Sequence, residues 1–464
     1  MTAIDTPLPR PGAPRLDPPR APQVRSAPPS GSPRPSAASG ARDAGIDLAR
    51  ALCVIAVLLI HGLQVGVTVD GGQGVLEYAT RGAAWYAPLT WVLQVLPLFF
   101  MIAGFAGVLA HRRSRAAGRT AAEFVAGRVH RLLVPALATI GAVGVGFLAL
   151  MAAGVPGELM AEISLRYGQP LWFLGVFLAV QAMLPTMAGL HERAPLRSFA
   201  GLAAGAVAVD LLRLVTGVDA IGYANLAFVW LALQQLGFLL ADGHLDRLSA
   251  RWRIGIGAGA AGLLALGMLL GICSPDLIAH LNPPTTALLL VGVAQTMLLT
   301  LVRTRLRALA ERPRIAALTG FVTARTMTIY LWNLPVLLVM AGASAQLALL
   351  GPIPLPEPSS ILWWLSRPSW LALSLLLTLG VATVLGGIEA RRPPALTTRP
   401  REARLGVVLG VAAVLLLLLA GTWPVTALGA VVLILIALRR TLATLLDRPV
   451  WRRGPAPMRL STAI

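Results

Sequence analysis

The chain has 464 residues, 56% of them hydrophobic and only 13% charged, with a formal net charge of +19. Apolar runs of about 15 to 20 residues recur from Ala51 to Leu438; a water-soluble core would break them with polar positions, so composition excludes a soluble globular chain. Nucleic acid is excluded as the reason for the positive charge, because the arginines flank apolar runs and no compact basic domain could dock a duplex; topology and anionic lipid headgroups account for most of it, with a surplus between His111 and Arg131.

Residues 1–44 are rich in Pro, Ala, Ser and Arg and carry almost no large apolar side chain, which predicts a disordered arm rather than a cleavable signal peptide. Membrane spans are expected near 48–68, 84–110, 132–153, 170–188, 198–217, 224–241, 254–272, 285–302, 326–345, 368–387, 405–421 and 424–438. With the N-terminus inside, all but four of the 39 basic residues fall on the cytoplasmic side, the exceptions being Arg81, Arg166, Arg213 and Arg367. That asymmetry follows the positive-inside bias and implies a multi-pass protein of the cell membrane with both termini cytoplasmic. The last apolar stretch, "LGVVLGVAAVLLLLLAGTWPVTALGAVVLILIAL", reads as a hairpin turning at Gly421, Trp423 and Pro424, since one long helix would put the arginines after Leu438 outside.

The expected organisation is therefore all-α: an arm over 1–44, a membrane domain of about ten spans over 45–390, a linker and two-helix hairpin over 391–438, and a basic tail over 439–464. The 26 residues after Leu438 are too few to fold a further domain. Cys53 and Cys273 lie far apart and form no metal-binding or redox motif.

The first span, "DLARALCVIAVLLIHGLQ", places Arg50 at its cytoplasmic end and His61 past its middle. Eleven residues at about 100° each make three turns plus roughly 20°, over about 16 Å, so both side chains share one helix face. Such a face can line a path inside the bundle, because an ionisable group at this depth needs a partner or a water-filled cavity. The alternative is a packing hydrogen bond for His61 and a snorkelling topology anchor for Arg50. Elsewhere, Asp210 and Arg213 are expected to pair with each other. Asn225, Trp230, Gln234 and Gln235 should fasten helices together, and Gly104 and Gly237 should mark close helix contacts. The outer stretch 346–369 carries two adjacent tryptophans and reads as a bilayer-surface anchor.

Five motifs in order resemble the acyltransferase 3 family of integral membrane enzymes. Arg50 and His61 match its Arg-x10-His element, and "LPLFFMIAGF" (Leu96 to Phe105) matches its Phe-Phe…Ser-Gly-Phe, with Ala103 for serine. Arg128 and Arg131 match its Arg-x-x-Arg, "PLWFL" matches Leu-Trp-Phe-Leu, and "IYLWNLPVL" matches Tyr-Leu-Trp-His, with Asn333 in the place of histidine. The resemblance covers about residues 45–390 and implies transfer of an acyl group, acetyl first of all, from cytosolic acyl-CoA to a hydroxyl of a saccharide, glycolipid or small-molecule natural product. It implies acyl-CoA as co-substrate, no resident cofactor and no metal.

Under that reading His61 is the catalytic group, either a base toward the acceptor hydroxyl or a nucleophile that is itself acylated. Arg50, Arg128 and Arg131 would bind acyl-CoA, since a planar guanidinium pairs with phosphate oxygens through two hydrogen bonds. Asp47, Trp172, Tyr330 and Asn333 are candidates for positioning substrate; Asn333 cannot titrate and is left a hydrogen-bonding role. The rival readings are a transporter or flippase of a lipid-linked saccharide, and an acyltransferase-like protein that only binds. Against the transporter, the sequence has no repeated halves and no paired Gly/Pro-broken spans.

Overall fold

The structure, a computed structural model, describes residues 43–351, 354–391 and 394–444. The expected arm up to residue 42 and the basic tail beyond residue 444 lie outside the described residues.

The chain opens with α1 (Ala44–Gln64), started by Asp43, whose carboxylate accepts from the Gly45 and Ile46 N–H groups. A hairpin of β1 (Val65–Asp70) and β2 (Gln73–Tyr78) follows, pairing Val65 with Tyr78 through Asp70 with Gln73. Next come α2 (Tyr86–Leu93), α3 (Leu96–Ala116), α4 (Ala121–Ala152), α5 (Gly157–Gly168) and α6 (Trp172–Arg193), the last two joined by a 3₁₀ turn at Gln169–Leu171. Then run α7 (Pro195–Thr216), α8 (Asn225–Ala241), α9 (Ala250–Leu269), α10 (Thr286–Ala310), α11 (Pro313–Ala324), α12 (Thr326–Leu350) and α13 (Ile361–Ala390). The described chain closes with α14 (Pro400–Ala420) and α15 (Pro424–Arg440).

Eleven helical segments among the described residues are long and apolar enough to cross a membrane. With α15, whose 17 residues span about 26 Å, they correspond to the twelve expected spans. The protein is an all-α polytopic membrane bundle. α14 and α15 form the expected hairpin, turning at Gly421 with φ 74°, and α15 packs along α14 and α4.

The core is built by small residues that let helix backbones touch. A Cβ on Gly104 would stand 2.4 Å from the Gln234 carbonyl oxygen, and one on Gly237 2.1 Å from that of Met101, so α3 and α8 meet backbone to backbone. Trp230 of α8 stacks on Phe100 of α3, with ring centroids 4.3 Å apart. Polar fasteners act as expected: Gln234 donates to the Val180 carbonyl at 2.9 Å and Gln235 to that of Met187 at 3.0 Å, tying α8 to α6. Asp242, just past α8, is held by Arg112 of α3; burial alone would raise its carboxyl, but that guanidinium holds it below the usual range. By contrast, α7 buries only Ala206, and α9 only Ala260 and Leu264; their remaining apolar faces suit lipid.

Five local expectations are corrected. The first span ends at Gln64 rather than 68, because "VGVTVDGGQGVLEY" alternates β-branched residues around a Gly71–Gly72 turn with φ 55° and 76° and folds as a hairpin. The second span breaks at Gln94–Val95, just before Pro97, and the third helix starts at Ala121, eleven residues before its expected start at 132, so that Arg128 and Arg131 lie within it. Asp210 does not pair with Arg213. It accepts from Asn225 at 2.8 Å and from the Thr286 N–H at 2.6 Å, while Arg213 bonds Asp219 at 2.9 Å. Trp363 is a core residue, 1% exposed in the first turn of α13 against Trp85 and Leu63, rather than a surface anchor.

Candidate active site

α1 is pinned at its arginine-rich end. Asp43 bonds Arg303 of α10 at 2.7 Å and Arg307 at 3.0 Å, and Gly45 brings α1 so close to α10 that a Cβ would lie 3.0 Å from the Arg303 carbonyl oxygen. From there one face of α1 presents Val54, Val57, His61 and Gln64, spaced by three, four and three residues, to an internal void. His61 lies in the last turn of α1, nearer its C-terminal end than the span 48–68 would place it.

The second wall comes from α12, 272 residues further along the chain. Asn333, 1% exposed, sets its Oδ1 3.2 Å from His61 Nδ1. Pro335 lies two residues on; lacking an N–H, it leaves the Leu331 carbonyl without its helical donor and loosens the turn beside Asn333. With Oδ1 as acceptor, Nδ1 carries the imidazole proton and the lone pair is on Nε2. No hydrogen bond engages Nε2 among the described residues.

His61 lines a cavity of about 410 Å³ together with Gln64, Tyr78, Gln94, Arg166, Gln169, Trp172, Phe173 and Tyr330. Of the positioning candidates, Trp172 and Tyr330 are therefore beside His61. Tyr330 donates to the Pro170 carbonyl, which locks the 3₁₀ turn before α6, and its ring meets Phe173 edge-on at 5.0 Å. Toward the arginine-rich side lies a slot of about 40 Å³, lined by Cys53, Val54, Leu58, Phe99, Thr326, Met327 and Asn333. Cavity and slot share Val57, Leu96, Phe173 and Tyr330, so they meet at one waist between α1, α3, α6 and α12.

The profile of the acyltransferase 3 family, described as an acyltransferase domain, matches residues 43–387. The chain belongs to this family. No curated protein and no solved structure matches the acyltransferase. The matched segment begins at the Asp43 cap of α1 and ends near the end of α13, leaving the α14–α15 hairpin outside it.

The arginines expected to bind donor stand apart from His61. Arg50 pairs with Asp47 at 3.6 Å, which gives Asp47 an arginine partner within its own helix. Arg128 lies over the Phe124 ring at 4.8 Å and within electrostatic range of Arg131 and Arg50, so the three cations gather on one face of the acyltransferase. None of them lines the cavity or the slot.

Sequence reading missed the rim of the cavity that lies beyond the C-terminal end of α1. Arg166, 5% exposed, bonds Glu162 at 2.5 Å and the Glu77 carbonyl at 2.9 Å, and its guanidinium lies 4.0 Å over the Tyr78 ring; Tyr78 in turn donates to Gln169. Gln64 donates to the Tyr86 hydroxyl. The available signal was a tyrosine closing an alternating strand and an arginine four residues after a glutamate, neither of which points to a cavity by itself.

Proposed function

We propose that this membrane acyltransferase moves an acyl group, acetyl in the first instance, from a cytosolic coenzyme A thioester to a hydroxyl of a saccharide, glycolipid or small-molecule acceptor. The observation that carries the proposal is the His61–Asn333 pair, which leaves Nε2 on the wall of a cavity large enough for a sugar-sized group.

In this reading Nε2 takes the proton of the acceptor hydroxyl as its oxygen attacks the thioester carbonyl, and returns it to the departing thiolate. Asn333 keeps the imidazole in the required tautomer, a role open to an amide although it cannot titrate. The donor enters from the arginine-rich face, taken as cytoplasmic, where Arg50, Arg128 and Arg131 pair with its phosphates. The separation of these cations from His61 favours a donor with a long arm between phosphates and thioester: Arg50 and His61 are about 16 Å apart along α1. The narrow apolar slot suits that arm, and the wider polar cavity suits the acceptor.

Purified protein in lipid nanodiscs with radiolabelled acetyl-CoA tests the proposal. It should release coenzyme A thiol and pass label to water or to added hydroxyl acceptors. Transport of a lipid-linked saccharide in proteoliposomes without any thiol release would establish the transporter instead.

A further inference from the structure

We propose that Asn333 is a catalytic residue in its own right, using both ends of its amide: Oδ1 orients His61, and the Nδ2 N–H donates to the acyl carbonyl oxygen as that oxygen becomes negative. The inference rests on the acyl-transfer reading above and adds to it the group that stabilises the tetrahedral intermediate.

Three observations converge. Nδ2 is buried and has no hydrogen-bond partner among the described residues, in a side chain only 1% exposed. Buried amide donors are almost always satisfied, so an unpartnered one calls for a partner the resting protein does not supply. Second, Asn333 lines the slot that shares its waist with the His61 cavity, so an acyl thioester lying in the slot beside His61 is within reach of this amide. Third, the other polar groups of the slot are committed or weak. The Tyr330 hydroxyl donates to the Pro170 carbonyl, the Thr326 hydroxyl to the Val322 carbonyl at 3.0 Å, and the Cys53 thiol is a poor donor. The slot is otherwise apolar, and a donor fixed there acts without competition from water.

The acceptor O–H gives its proton to His61 Nε2 while the oxygen bonds to the thioester carbon. The carbonyl π pair moves to oxygen, where the Asn333 Nδ2–H holds it. The pair then returns, the C–S bond breaks, and the coenzyme A thiolate takes the proton back from Nε2.

Asn333→Asp keeps an oxygen for His61 Nδ1–H and removes the donor. With acetyl-CoA its kcat should fall by about 10²–10³-fold, the cost of losing one oxyanion donor, while the KM for acetyl-CoA changes by less than about threefold. The deciding readout is the acetyl-CoA analogue with sulfur in place of the carbonyl oxygen, because sulfur accepts hydrogen bonds poorly. Wild type should prefer the oxygen thioester strongly, and Asn333→Asp should lose most of that preference. Equal losses on both substrates would reduce Asn333 to a positioning residue for His61, and an undiminished kcat would overturn the inference outright. Asn333→Ala, which removes the amide N–H and supplies no other donor, provides the same oxygen-against-sulfur comparison if the aspartate variant fails to fold. Absence of thiol release by wild type, by contrast, would refute the acyl-transfer reading itself.

Discussion

Gly237→Ala tests the packing on which the site depends. The added Cβ would lie 2.1 Å from the Met101 carbonyl oxygen and 2.6 Å from the Phe105 nitrogen, both backbone atoms of α3. Ordinary contact needs about 3.4 Å or more, so α3 and α8 must separate by over an ångström, and no side-chain rotation can relieve them. Overpacking typically costs about 1–3 kcal/mol, and a clash between two helix backbones belongs at or above the upper end. The displacement reaches the site because Leu96 and Phe99 of the same α3 line the waist and the slot. Gly262→Ala in α9 is the control: nothing lies within 4 Å of its Cβ, and alanine is favoured over glycine in a helix by about 1 kcal/mol. In detergent, the apparent melting temperature of Gly237→Ala should fall well below wild type and its turnover should drop, while Gly262→Ala matches or exceeds wild type. Equal melting temperatures for the two variants would refute the close α3–α8 contact.

Arg128→Ala combined with Arg131→Ala should raise the KM for acyl-CoA by about 1.5–3 kcal/mol per lost phosphate contact, with little change in acceptor use, as read from steady-state kinetics with each substrate varied in turn. Asp43→Asn should lower thermal stability, by about 1.5–3 kcal/mol, at neutral pH. Burial alone would raise the Asp43 carboxyl, but the Arg303 hydrogen bond, the Ile46 N–H and Arg307 outweigh it and hold it below the usual range. A depressed folded value means stability present above about pH 4 and lost as pH falls through that value, so melting curves of wild type and Asp43→Asn should converge in acid and diverge above it. Reporter fusions after Val302 should read cytoplasmic and one after Gly351 external, as the arginine asymmetry requires.

Much of the architecture was legible because bilayer physics writes it into the sequence. Spans must be long and apolar, and arginine marks one side, so every expected span has its helix. Gly104, Gly237, Gln234 and Gln235 were legible as helix contacts because small and amide residues have few other uses inside a bundle. Helical periodicity put Arg50 and His61 on one face of the first span, but of the two only His61 lines the cavity, while Arg50 pairs with Asp47. The pairing of His61 with Asn333 was not legible, since nothing local in "IYLWNLPVL" says which helix lies opposite. The hairpin after Gln64 carried its own signal, with alternating residues around Gly71–Gly72, but a span search treats such segments as spacers. The Arg166–Tyr78–Gln169 rim joins the end of β2 to the stretch where α5 runs into the 3₁₀ turn, through contacts that only the fold creates.

The central claim is that His61 Nε2 is the base of an acyl transfer, and His61→Gln tests it most directly. Glutamine keeps hydrogen-bonding capacity and much of the volume but cannot take the proton. The variant should remain folded and inserted, bind acyl-CoA as wild type does, and release coenzyme A thiol at least about 10²–10⁴-fold more slowly. A well-folded His61→Gln protein with wild-type turnover would contradict the account, because among the described residues no other imidazole and no carboxylate lines the cavity or the slot.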